Sequence, residues 1–210
     1  MAMKKVYFGS LPVDEYQYRE SDFIGLALNP SHERELKHDL HDPLPFEDES
    51  VEKLHAQDVL EHLKIDKIPS ILDEIYRVLT QGGVFRLSVP DYRSPLLKKR
   101  SVYDHQGRVI GDMMMGANIH YDGLSLAAKA KFSQNGDAHV WFPSYELINE
   151  LILRSRLRFC RKIDFWHYIH FDGTSVVKDF PDLDMPVKRC PPRDNRSAGK
   201  PISIIVDFTK

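Results

Sequence analysis

The sequence predicts an α/β fold built on a doubly wound, mostly parallel sheet with an antiparallel pair of strands at its C-terminal edge. Between Val51 and Val89, a strand pattern, a helix pattern and a second strand pattern follow one another. Such a βαβ unit implies a parallel sheet with right-handed crossovers. Residues 159–169 and 202–208 alternate well enough to be two further strands, and we expect them to pair antiparallel at the sheet edge.

Length and composition limit the possible classes of protein. The chain has 210 residues, of which 42% are hydrophobic and 29% charged, so it can bury a core and is expected to form one domain over residues 1–210. The net charge of -2 gives no general attraction to nucleic acid or to an anionic membrane. No apolar run approaches the length of a membrane span, and the N-terminal apolar stretch is too short for a signal peptide. Two cysteines cannot make a disulfide framework, so we expect a cytoplasmic protein, and we leave the oligomeric state open.

Three short strands are predicted in the N-terminal quarter. The first covers Lys4 to Phe8 and closes at Gly9-Ser10, the second covers residues 22–28, and the third covers residues 36–40. Only about six residues separate the second and third strands, whereas a parallel crossover usually needs a dozen or more. The helix expected between them must therefore be absent or reduced to a turn.

The central βαβ unit supplies the clearest pattern. A fourth strand covers Val51 to Ala56, and a helix follows whose apolar residues at 71, 72, 75, 78 and 79 fall on one face. Gly82-Gly83 is suited to a left-handed cap at the end of this helix, and a fifth strand covers residues 84–89. The succession is typical of a Rossmann-like sheet.

The second half of the chain is less regular. Residues 98–140 are predicted to form an insert that acts as a lid, with a helix over 124–132. A helix is expected over 143–153 with Ser144 as its N-cap, and the polar, proline-rich residues 171–200 are expected to form a long loop.

The ends of the predicted strands indicate where a ligand would bind. In open α/β sheets, ligands bind outside the carboxyl ends of the strands. The candidate residues at these ends are Gly9, Ser10, Asn29, Asp39, Leu40, Gln57, Asp58 and Asp91.

The central stretch also resembles a known family. The residues that carry the resemblance are DLHDPLPFEDESV (39–51), VLEH (59–62), EIYRVLTQGG (74–83), VPD (89–91), WFPSYELINEL (141–151) and PISIIVDF (201–208). In combination they are similar to the class I S-adenosylmethionine-dependent methyltransferases, in particular a small bacterial group of the type 11 kind. The resemblance implies S-adenosyl-L-methionine as cofactor and methyl transfer to a small-molecule or sugar-type acceptor.

The resemblance also implies a role for each strand-end residue. Gly9 and Ser10 would line the methionine end of the cofactor, Asn29 would hold its ribose, and Asp39 and Leu40 would lie near its adenine. Gln57 and Asp58, at the end of the fourth strand, would complete the cofactor site.

The chain departs from the family pattern at three of these positions, one of which is Asp58, where this group often has histidine. Its first loop has one glycine, Gly9, where the family has G-x-G, and Asn29 stands where an acidic residue usually holds the ribose. The alternative reading is therefore a catalytically inactive protein of the same fold that serves as a binding or scaffold module. Leu11 or Pro12 in the place of the cofactor's methionine end would favour that alternative. A nicotinamide-dependent enzyme is a weaker reading, because the first turn lacks G-x-G-x-x-G.

The candidate catalytic residues are His120 and His139, in the insert, and Asp91, which ends the fifth strand. The histidines could act as a general base or contact the acceptor, whereas Asp91 could contact the acceptor or simply shape the entry of the loop. Asp58 and Glu61 have the spacing of a capping box, and we expect them to cap a helix.

We expect no metal site from the histidine pattern. His38 and His41 are three residues apart, as are His167 and His170, but neither pair is accompanied by cysteine or carboxylate ligands at a known spacing. On a strand, the spacing of His167 and His170 also points the two side chains to opposite faces.

Overall fold

A computed structural model describes residues 3–10, 22–115, 117–121, 128–132 and 138–210. The strands are β1 (Lys4–Phe8), β2 (Ile24–Ala27), β3 (Glu35–Lys37), β4 (Val51–Gln57), β5 (Leu79–Pro90), β6 (Ser101–Tyr103), β7 (Val109–Asp112), β8 (Ala117–Tyr121), β9 (Ala128–Phe132), β10 (Lys162–Ile169), β11 (Ser175–Val177) and β12 (Ser203–Thr209). The α-helices in these ranges are α1 (Ile68–Val78), α2 (Pro95–Lys98) and α3 (Tyr145–Leu153). Short 3-10 helices lie at Leu60–His62, Ile65–Lys67 and Arg156–Phe159.

One eight-stranded sheet organises the molecule, in the order β11-β10-β12-β5-β4-β1-β2-β3. The five strands from β3 to β5 are parallel, and β12, β10 and β11 continue the sheet in antiparallel pairing. The predicted fold class is therefore confirmed, including the antiparallel pairing of β10 with β12. The edge itself is formed by β11, a short strand that lies within the stretch predicted as a loop.

One face of the sheet is covered by α1 and α3. The buried residues of α1, among them Ile71, Ile75 and Val78, form one stripe at helical spacing and join the main core. Sheet residues such as Leu54 and Phe85 form the other side of this core. Ser144 caps α3 by accepting a hydrogen bond from the Leu147 N–H, so the predicted helix and its cap are both observed.

The opposite face is covered by the segment 178–200. Met185 packs with Tyr7 and Phe23, and Val187 and Cys190 pack with Ile205 of β12. This part of the long predicted loop therefore buries apolar side chains against the sheet, in the place where a doubly wound fold usually has helices.

Two predicted features at the end of α1 and in the insert are wrong. The helix ends at Val78 and Leu79 is already extended, because Leu79 pairs with Val51, so Gly82 (φ 77°) turns the chain inside β5 rather than capping the helix. Residues 128–132 form β9, paired with β8, instead of the end of a helix, and residues 124–127 lie outside the described residues. The alternation Ala-Lys-Ala-Lys-Phe has the period of a strand.

Two further expectations can be compared with the described residues. Within the described stretch 22–115, the residues between β2 and β3 form a turn and no helix, as their number required. No helix in the described part of the chain has both the length and the apolar character needed to cross a bilayer.

Candidate functional site

The ends of β1 and β4 meet at Gly9. The strand order reverses between these two neighbouring strands, and this reversal is where ligands bind in doubly wound sheets. Gly9 has a φ of 89°, and a Cβ at this position would lie 3.0 Å from Cγ2 of Val59. Both the backbone conformation and the lack of space therefore favour glycine at the first predicted cofactor residue.

Ser10 contacts a buried carboxylate, that of Glu35, which the sequence reasoning missed. Ser10 donates a hydrogen bond of 3.0 Å to Oε2 of Glu35, the first residue of β3. The Glu35 side chain is fully buried and also accepts hydrogen bonds from the Tyr7 hydroxyl (3.0 Å) and the Ser31 N–H (2.6 Å). Asn29, two residues past β2, is exposed.

Asp39 and Leu40 point in different directions. Oδ1 of Asp39 accepts a hydrogen bond of 3.0 Å from the His41 N–H and lies 2.7 Å from His41 Nδ1. The hydrogen bond from the His41 backbone is the main reason that the pKa of Asp39 is lowered, so this residue is a carboxylate at neutral pH. Its side chain is 48% exposed, whereas Leu40 is buried in the main core.

Gln57 and Asp58, at the end of β4, contact the segment that covers the sheet. Oε1 of Gln57 accepts a hydrogen bond of 3.2 Å from the Lys188 N–H, and Oδ2 of Asp58 lies 3.4 Å from Nε of Arg189. The expected capping box is wrong, because the 3-10 helix at Leu60–His62 has Val59 as N-cap and no side-chain cap. Glu61 is fully buried instead.

Asp91 is a buried carboxylate held by two backbone groups. Oδ1 accepts from the Arg93 N–H (2.9 Å) and Oδ2 accepts from the Ile169 N–H (2.8 Å). Burial raises the pKa of Asp91 to about 6, and the two hydrogen bonds limit this rise. The geometry gives Asp91 a part in joining the ends of β5 and β10; its predicted contact with the acceptor stays a prediction.

His139 lies at the centre of a buried polar chain. Its Nδ1 is 2.6 Å from the hydroxyl of Tyr92, which donates to Oδ2 of Asp112 at 2.6 Å, and Arg100 pairs with the same oxygen at 2.7 Å. Burial, together with a smaller effect of the neighbouring His62, lowers the pKa of His139 to about 3, so His139 is neutral at physiological pH. His120 lies on β8 opposite Lys129, and its side chain is outside the described part of the structure.

A cavity of about 620 Å³ lies beyond the ends of β5 and β10. The insert, the start of α3 and the turn after β10 all contribute to its walls, and Tyr92 joins it to the chain of polar groups around His139. Its cationic side chains are Arg93, Lys98 and Arg108, with His170 beside them. Arg93 pairs with Glu146 and Arg108 with Asp104, so Lys98 is the cation of this cavity for which the structure shows no acidic partner among the described residues.

The chain was compared with protein families and known structures. Residues 21–87, about a third of the chain, match the model of a methyltransferase domain. No curated protein matches. Among solved structures, a SAM-dependent methyltransferase from Archaeoglobus fulgidus is similar with a TM-score of 0.54 and 12% identity, over 99% of this chain and 86% of that one.

Two further solved structures agree with the first. A SAM-dependent methyltransferase from Methanosarcina mazei has a TM-score of 0.51 and 12% identity, over 100% of this chain and 93% of that one. One from Mesorhizobium loti has a TM-score of 0.50 with the same identity and the same coverage of both chains. The resemblance drawn from the sequence is confirmed, and the chain has the fold of the class I methyltransferases. The family match supports S-adenosyl-L-methionine as its cofactor.

Proposed function

We propose that this chain, which has the class I methyltransferase fold, catalyses S-adenosyl-L-methionine-dependent methyl transfer to a small-molecule or sugar-type acceptor. The observation that carries the proposal is the arrangement of the carboxyl edge of the sheet. The strand-order reversal at Gly9 and the cavity beyond β5 lie on the same edge.

The residues at the strand ends fit the cofactor chemically. Gly9 lets the backbone approach a ligand closely, with Ser10 beside it. The amide of Asn29 can hydrogen-bond ribose hydroxyls, and the carboxylate of Asp39 can accept from an adenine amino group. Gln57 and Asp58 would close the site at the end of β4. When bound, the cofactor supplies a methyl group on a positively charged sulfur.

The burial of Leu40 limits the role that its side chain can have in the proposed cofactor site. Because its side chain is 7% exposed and belongs to the main core, it would support the adenine pocket from beneath rather than lie along the crevice.

The cavity beyond β5 fits a small acceptor. Its volume lies within the range of about 300–1,000 Å³ that is typical of small-molecule sites. Aromatic side chains such as Tyr92 and Trp141 offer apolar faces to a ring, and Lys98 can attract a negatively charged group. Enclosure by the insert would orient the acceptor and exclude water, which is the main task of a protein in such a transfer.

A hydroxyl acceptor also needs a base near its proton. His120 and His139 remain our proposed candidates, and Asp91 remains the proposed acceptor contact at the end of β5. Tyr92 both lines the cavity and contacts Nδ1 of His139, so its hydroxyl lies between His139 and the cavity.

Binding of the cofactor can be measured directly. We expect S-adenosyl-L-methionine and its demethylated product to release heat in calorimetry and to raise the melting temperature. Asp39→Ala should weaken binding about tenfold or more, because it removes a charged hydrogen-bond acceptor. Asp42→Ala, which removes an exposed carboxylate from the same loop, should leave the affinity unchanged.

The inactive scaffold is the competing proposal, and it is favoured by the single glycine of the first loop. The residues that would decide it in the structure, Leu11 and Pro12, lie outside the described ranges. A protein that shows neither heat nor a thermal shift with millimolar ligand would contradict cofactor binding and support the scaffold.

The setting of the protein is also a proposal. We propose a cytoplasmic protein of bacterial type without a nucleic-acid or membrane partner, because both cysteines are free thiols and the net charge is -2.

A further inference from the structure

Glu61 carries a buried carboxyl group to which no described residue offers a hydrogen bond. It is the second residue of the 3-10 helix Leu60–His62, which follows β4, and its side chain has no exposed surface. Neither of its oxygens has a hydrogen-bond partner within the described part of the chain. A buried polar group in this condition is costly, so its position calls for a physical explanation.

Two histidines present ring nitrogens to this carboxyl group. Nε2 of His139 lies 3.7 Å from Oε1 of Glu61, and Nε2 of His62 lies 4.0 Å from the same oxygen. The two imidazole rings meet edge to face, with centroids 4.8 Å apart. One ligand atom from each of the three residues lies within 4.8 Å of the other two.

The hydrogen bonds of the other ring nitrogens fix which atoms face inwards. Tyr92 donates its only proton to Asp112, a carboxylate paired with Arg100, so its oxygen must accept a hydrogen bond from Nδ1–H of His139. Nδ1 of His62 lies 3.1 Å from the Ala138 carbonyl, which can only accept, so His62 donates there. A neutral imidazole that donates through Nδ1 has a lone pair at Nε2.

Three electron-pair donors therefore converge with no hydrogen between them. A protonated Glu61 would not solve the problem, because 3.7 Å is too long for a hydrogen bond to His139. A shared cation could be bound by all three groups and would satisfy Glu61 and Nε2 of His139, which have no hydrogen-bond partner among the described residues. Histidines that bind metals characteristically donate their other ring N–H to a carbonyl or another polar group, as both histidines do here.

We propose that Glu61, His62 and His139 bind one divalent transition-metal ion of the Zn²⁺ type. Two imidazole nitrogens and one carboxylate suit Zn²⁺, Co²⁺, Fe²⁺ or Ni²⁺, whereas Mg²⁺ prefers oxygen ligands. Ligand atoms about 2.1 Å from a tetrahedral ion are about 3.4 Å apart. The separations of 3.7 to at most 4.8 Å between the three groups would therefore have to shorten by about 0.3 to 1.4 Å. Three protein ligands leave a position for water or another ligand.

The backbone already holds the two parts of this site together. The Val140 N–H donates to the Glu61 carbonyl at 2.9 Å, and Nε1 of Trp141 donates to the Leu60 carbonyl at 2.8 Å. Val140, Trp141 and Tyr92 line the cavity, so the ion would lie behind its wall and fix the segment after the insert to the end of β4. The site does not depend on methyl transfer.

Metal binding can be tested on the full-length protein after removal of metals with a chelator. We expect Co²⁺ to bind in about one equivalent with visible absorption bands, and Zn²⁺ to displace it. A tenfold excess of Mg²⁺ over Co²⁺ should not displace the bound Co²⁺. His62→Gln and Glu61→Gln should each weaken Co²⁺ binding at least tenfold, whereas His105→Gln, which removes an exposed histidine elsewhere, should not change it.

The outcome is decisive even if one variant fails to fold. Glu61 is fully buried, so circular dichroism must show that Glu61→Gln is folded; His62, whose side chain is 18% exposed, gives the less disruptive variant. Equal Co²⁺ binding by the wild type, His62→Gln and His105→Gln would overturn the site, as would the absence of a one-equivalent step. All titrations omit S-adenosyl-L-methionine, so failure of the proposed function would not affect them.

Discussion

Arg86 joins the sheet to the segment that covers it through several hydrogen bonds at once. All five of its N–H donors are used: two bond the carboxylate of Asp207, and the others bond the carbonyls of Pro181, Asp182 and Met185. Arg86→Ala would leave the Asp207 charge buried without its cation. We therefore expect the free energy of unfolding to fall by about 3–5 kcal/mol, measured by denaturant titration.

The comparison with an exposed arginine tests this explanation. Arg154 pairs with Glu150 on the surface of α3, and both side chains are more than half exposed, so Arg154→Ala should change the stability very little. Arg86→Lys keeps the charge but loses the fork geometry, and its stability should lie between those of the wild type and Arg86→Ala. An Arg86→Ala protein as stable as Arg154→Ala would show that this network does not hold the segment.

At the level of elements, a side-chain hydrogen bond between β1 and β3 passes over a glycine of β2, the strand that lies between them. Tyr7, Gly25 and Glu35 are neighbours across the three strands, and the Tyr7 hydroxyl bonds Glu35 directly. A Cβ at Gly25 would lie 2.6 Å from the Tyr7 ring and 2.7 Å from Cγ of Glu35. We expect Gly25→Ala to lower the free energy of unfolding by about 1–3 kcal/mol through overpacking.

A double variant separates overpacking from other effects of alanine. Tyr7→Leu removes the ring that the new methyl group would meet, so Gly25→Ala should cost less in the Tyr7→Leu background than in the wild type. Equal costs in the two backgrounds would mean that the contact with Tyr7 is not the cause.

The helices and strands differ in how well the sequence could predict them. The helix α1 could be predicted because its buried residues, among them Ile71, Ile75 and Val78, recur at helical spacing within 11 residues. The strands β10 and β12, with eight and seven residues, are also longer than β9. The short β9 offered only five alternating residues. The cover formed by residues 178–200 could not be predicted, because its apolar residues have no regular period and are buried only through long-range contacts.

For the whole molecule, the candidate site divides into a predictable and an unpredictable part. Residues such as Gly9 and Asp39 follow strands, and strand ends of a parallel sheet must share one edge, so their convergence could be predicted. Glu61 and His139 are far apart in the sequence and are brought together by the return of the chain after the insert. The local spacing of Asp58 and Glu61 even favoured a cap, which the buried position of Glu61 excludes.

Three buried polar side chains, Tyr7, His55 and Arg86, form a row across neighbouring strands beneath residues 178–200. This buried polar row makes the stability of the molecule depend on pH. His55 of β4 lies in this row between Tyr7 and Arg86 and is fully buried. Desolvation, with a smaller contribution from the charge of Arg86, lowers the pKa of His55 to about 3. In the unfolded chain its pKa is about 6.5. The unfolded state therefore binds one more proton than the folded state between these two values, and the stability falls as the pH falls through this window.

We expect this one histidine to account for a loss of about 2 kcal/mol between pH 6.5 and 4.5. His55→Gln removes the titration but keeps a similar volume, so its free energy of unfolding should fall less steeply over the same range, whatever its value at neutral pH. Denaturant unfolding of both proteins at several pH values measures the two slopes, and titrations shared by both proteins cancel in their difference. Parallel slopes would show that His55 is not kept neutral by the fold, and that the segment over the sheet admits water to the row it covers.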